Sequence, residues 1–72
     1  RNVNMDYLVW GEEYLREAEH LRERVRLLRR QAADATEEKE ADKLEGRIQL
    51  LYGMYLDCLH VGNYLIKCGR LR

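Results

Sequence analysis

Apolar and small residues recur along this chain in alternating steps of four and three. The first run is Tyr7, Gly11, Tyr14, Ala18, Leu21, Val25, Leu28, Ala32 and Ala35. A second run obeys the same rule through Ala41, Leu44, Ile48, Leu51, Tyr55, Cys58, Gly62, Leu65 and Gly69. That spacing lines one face of a helix and is the period of helices packed side by side. Extending the first run past Ala35 lands on Lys39, Asp42, Gly46, Gln49 and Gly53, which cannot form a core. The pattern therefore resets between the runs. A turn resets it more simply than one uninterrupted helix whose apolar stripe swings to another face.

The chemistry of "ADATEEKE" fits a turn. Asp34 or Thr36 can cap a second helix, and Glu37 and Glu38 then place negative charge in its first turn, where the helix dipole favours it. Asn4 or Asp6 can cap the first helix, and Gly69 after Lys67 makes a conventional stop for the second. No glycine stands where the first helix should end, which keeps a single long helix as the competing reading. The expected fold is all-α, an antiparallel two-helix hairpin forming one domain over residues 1–72. Helix one is expected near 6–34, the turn near 34–38 and helix two near 37–68. Met5 is a candidate natural start, in which case residues 1–4 stand outside the fold.

A turn near Glu38 pairs Tyr14 with Gly62, Tyr7 with Gly69, Gly11 with Leu65 and Ala18 with Cys58. Large then meets small, so two helices can approach closely without voids. The capping residues favour a turn a few positions earlier, which leaves the register open. Beside the turn, "RERVRLLRR" of helix one faces "EEKEADKLE" of helix two. Arg22 and Arg29 can there flank Glu38 and Glu45 as exposed ion pairs, contributing about 0–1 kcal/mol each.

Helix two is apolar on most sides. Tyr52, Leu59 and Ile66 widen its seam on one side and Met54 and Val61 on the other, leaving Gly53, Asp57, His60, Asn63 and Lys67 as a narrow polar stripe. Leu8, Val9, Trp10 and Leu15 add to the same end of the hairpin, and one partner helix cannot cover so broad a surface. The expected cover is a second hairpin, giving a homodimer built as a four-helix bundle. Trp10, Tyr14, Leu15, Tyr52, Tyr55, Leu59 and Ile66 form the expected association surface, because aromatic side chains supply much buried area. Another protein is the alternative occupant. Length points the same way: 72 residues lie near the lower limit at which one core suffices without disulfide, metal or partner.

Lys plus Arg number 13 and Asp plus Glu number 13, so no global field draws the molecule toward nucleic acid or anionic lipid. Only a local patch can argue for either. Arg22, Arg26, Arg29 and Arg30 share one helix face and can track RNA or DNA phosphates. The acidic segment opposite and the lack of aromatics within the stripe place nucleic acid second to a protein partner. No apolar run approaches the roughly 20 residues of a membrane span, the first residues lack a secretory layout, and the basic residues are remote from the apolar end. The chain reads as soluble and cytoplasmic, with no membrane partner.

No enzyme, cofactor or metal is expected. Cys58 and His60 are two apart on a helix and point to different sides, whereas helical metal pairs need spacings of three or four. His20 and Cys68 belong to no ligand motif, and ten helical residues hold Cys58 about 15 Å from Cys68, too far for a disulfide within one chain. Cys58 reads as a small core residue and Asp57 as a member of the polar stripe. The five glycines are dispersed rather than gathered into a phosphate-binding loop, and serine is absent.

Overall fold

The computed structural model describes residues 3–71, with side chains from Asp6 onward. Two helices account for nearly all of them: α1, Val3–Asp34, and α2, Glu38–Arg70. They pack against each other as a hairpin, and no strand occurs among the described residues. The resulting rod measures 54 × 13 × 13 Å. The uninterrupted single helix is therefore excluded.

The chain reverses over Ala35, Thr36 and Glu37, with the Ala35 backbone N–H donating to Ala32 O at 3.3 Å. Neither Asp34 nor Thr36 caps α2. Glu37 is the N-cap, in an extended conformation and without a side-chain bond to the freed amides. Its carbonyl accepts the Ala41 N–H at 3.0 Å, while Glu38 and Glu40 supply first-turn negative charge. Asn4 lies inside α1, so the cap of that helix falls outside the described residues. Gly69 does not stop α2 either. It is buried within the last turn, and the helix ends when Leu71 turns extended and its N–H reaches Cys68 O at 3.2 Å. The Gly69 φ is not positive, so this residue does not form the left-handed cap.

The core sits in the half of the rod nearest the turn. Leu21, Val25, Ile48 and Leu51 form its centre, with Leu28, Ala32, Tyr55 and Cys58 packed against them. Ala18 and Leu44 complete the buried apolar set. Cys58 is thus the small seam residue the periodicity implies.

Toward the open end the backbones converge on two glycines. A Cβ built on Gly11 would lie 2.9 Å from Gly62 O, and one on Gly62 would lie 3.0 Å from Gly11 O. The observed register therefore sets Gly11 beside Gly62, and the expected pairings of Gly11 with Leu65 and Tyr14 with Gly62 are replaced. The cause is the turn, which falls on Ala35–Glu37 rather than near Glu38 and slides α2 by almost one helical turn. Leu15, not Tyr14, covers Gly62, and Ile66, not Leu65, covers Gly11. Tyr14 is consequently displaced from the seam and exposed.

Candidate interaction surfaces

The turn half and the open half present different chemistry. On one side of the turn half, Arg22, Arg26 and Arg29 of α1 meet Tyr52 and Tyr55 of α2 around an open cleft of about 310 Å³ floored by Val25. The Arg29 guanidinium lies 5.6 Å from the Tyr52 ring centroid, within cation–π range. Tyr52 and Tyr55 are themselves a tilted pair 5.6 Å apart. Sequence spacing missed this meeting because the aromatics come from the other helix.

The arginines do not pair with the acidic segment of α2. Arg22 bonds Glu19 at 3.2 Å, and Arg26 donates to Glu23 through Nη2 at 2.7 Å and Nε at 3.1 Å, all within α1. The hydrogen bond from Arg26 holds the Glu23 carboxyl below the usual range and raises Arg26 in return. Residues three apart on one helix reach each other more easily than partners across the seam, so local pairs displace the expected Arg22 and Arg29 bridges to Glu38 and Glu45. Arg29 is left on the ring. Arg30 is exposed and does not line the cleft, so three arginines of the predicted four converge.

The predicted association residues divide between three environments. Leu15 and Ile66 are half-buried over the glycines, spent on the hairpin itself. Tyr55 and Leu59, also half-buried, line a groove with Leu15, Ala18, Glu19 and Arg22 that runs on from the arginine cleft. Trp10, Tyr14 and Tyr52 are exposed, Trp10 by 49%. Trp10 and Tyr14 lie on the other side of the rod, around a hollow with Glu13, Val61 and Leu65. Tyr7 braces Trp10 edge-on, with centroids 5.8 Å apart.

Of the apolar side chains expected at the open end, Val9, Trp10, Met54 and Val61 are left open, while Leu8, Leu15, Leu59 and Ile66 are partly covered by the hairpin. Leu50 and Tyr64, each 66% exposed, join them. The Tyr64 phenol is pushed above its usual range, first by hydrogen bonding with Cys68 and then by coulombic repulsion from negative charge at Cys68.

Cys58 and Cys68 are free and half-buried, His60 and Asp57 are exposed, and His20 approaches only Glu17, at 3.7 Å. No group of three or more His, Cys, Asp or Glu side chains among the described residues could hold a metal. No helix there is long and apolar enough to cross a membrane.

Fold and surfaces together define the chain as an all-α helical hairpin. Comparison with family models, curated proteins and solved structures returned no match, so its function must be read from these surfaces.

Proposed function

We propose that this chain is a small, non-catalytic protein–protein interaction module, an adaptor or regulatory element that works in the cytoplasm as a self-associated pair of hairpins. The pair forms a dimeric four-helix bundle. One observation carries the reading: Trp10, Tyr14, Met54, Val61 and Tyr64 remain exposed in the half of the rod that lacks large buried side chains. Apolar patches of that breadth mark association sites in water. Sedimentation equilibrium from micromolar to millimolar chain should show a rise from monomer to dimer mass. A chain that stays monomeric throughout defeats the reading.

A second reading, nucleic-acid binding, is favoured by the stacking of Arg29 on Tyr52 beside Arg22 and Arg26. Guanidiniums next to aromatic rings suit a phosphate backbone with stacked bases. Titration of a labelled RNA or DNA oligonucleotide should then give binding that weakens steeply with salt and is lost on charge reversal of Arg22, Arg26 and Arg29. Arg30→Glu should weaken it far less. Equal loss from Arg30→Glu means diffuse charge rather than this cleft.

A further inference from the structure

α2 carries two seams, of which the hairpin uses one. Standing one position before successive seam residues are Leu50, Met54, Val61, Tyr64 and Cys68, interrupted once by Asp57, with Leu71 just past the helix end. The steps are again four and three, so this second line has the packing period of a helix partner and lies about 100° round the axis from the first. It is open: Leu50, Met54, Val61, Tyr64 and Leu71 are all exposed. α1 has no continuous counterpart, since Glu13, Glu17, His20 and Arg24 occupy the equivalent positions between Trp10 and Leu27. Trp10 and Tyr14 border the second seam where it passes Val61.

We propose that the second seam of α2 is the dimer interface, packing against the same seam of a second copy. This rests on the self-association reading and specifies its surface. Three observations favour a second copy as occupant. Tyr64, Trp10 and Tyr14 leave about half of their roughly 150–250 Å² each in solvent, and exposed Leu50, Met54, Val61 and Leu71 extend that surface toward the roughly 800 Å² per partner of a stable interface. The apolar seam runs through the half of α2 beyond Leu51, where the only buried residues are Gly62 and Gly69. A small domain gains most from cover at such a place. With 13 basic and 13 acidic residues, two copies also approach without net repulsion.

Asp57 is the one charge inside the seam, and a carboxylate desolvated without a partner opposes association. It limits the strength of the dimer rather than creating it. Tyr52, about 200° round α2 from Met54, lies outside the interface.

The test is sedimentation equilibrium of four chains: wild type, the double variant Met54→Glu with Val61→Glu, Tyr52→Glu, and Asp57→Leu. The double variant should weaken the wild-type dimer by roughly 100-fold or more, as expected for unpaired charge in a desolvated seam. Tyr52→Glu should stay within roughly threefold, as for a site outside an interface. Asp57→Leu should tighten association by roughly tenfold or more. Helix content by circular dichroism shows whether the double variant still folds; if it does not, failure of Asp57→Leu to tighten the dimer overturns the proposal. A wild-type dimer that the folded double variant leaves intact overturns the seam while self-association stands. A wild-type monomer at every concentration overturns both.

Discussion

Leu21→Ala is expected to destabilise the fold by about 2–5 kcal/mol, the cost of removing a buried leucine and leaving a cavity that its neighbours only partly close. Leu21 is 2% exposed and packs at the centre of the core with Val25, Ile48 and Leu51. A domain of this size draws only about 3–5 kcal/mol from its core, so the variant should be mostly unfolded at room temperature. Urea denaturation followed by circular dichroism reads the effect, at one fixed chain concentration because association adds its own stability. The control is Leu50→Ala, a leucine of α2 that is 66% exposed. At a concentration low enough to keep the chain monomeric, it should change stability by no more than about 0.5 kcal/mol. Equal losses from the two variants would place the core somewhere other than the turn half.

Gly62→Ala should destabilise by about 1–3 kcal/mol, against the ordinary preference of helices for alanine by roughly 0.8–1 kcal/mol. The added Cβ would meet Leu15 Cδ2 at 2.7 Å and Cγ at 2.8 Å, and Gly11 O at 3.0 Å. Leu15 can rotate away; the carbonyl belongs to the opposite backbone and can move only if the helices separate. Gly53→Ala reverses the sign. A Cβ there meets nothing within 4 Å, so only the propensity gain remains and stability should rise by about 0.5–1 kcal/mol. In thermal melts the two variants should shift the midpoint in opposite directions, by about 4–8 °C per kcal/mol in a chain of this length. Shifts of the same sign would show that the glycine crossing is not a close contact.

The seams from Ala18 to Ala32 and from Ala41 to Leu51 were legible because both helices bury a full stripe there, and period alone reports a stripe. Tyr14 was misplaced for the opposite reason. Near Gly11 and Gly62 the axes approach so closely that the inward positions shift by one, from Tyr14 to Leu15 and from Leu65 to Ile66. Periodicity within one helix carries no information about interhelical distance. The turn shows the same limit: matching large residues to small ones places it near Glu38, the capping residues place it a few positions earlier, and the reversal over Ala35–Glu37 moves the register by almost a turn. The Arg29–Tyr52 stack was invisible because its members are 23 positions apart and on different helices.

The four-and-three recurrence, its break after Ala35 and the absence of proline were enough to determine two long helical stripes and to favour a reversal between them, because helix formation and stripe burial are decided within a few turns of chain. Only the tertiary structure decided which residues meet. The sliding of α2 along α1 is set by where three loop residues turn and by two glycines that let backbones touch, and these are properties of the pair of helices. For the same reason it alone showed that Leu15 and Ile66 are consumed inside the hairpin while Leu50, Val61 and Tyr64 face outward.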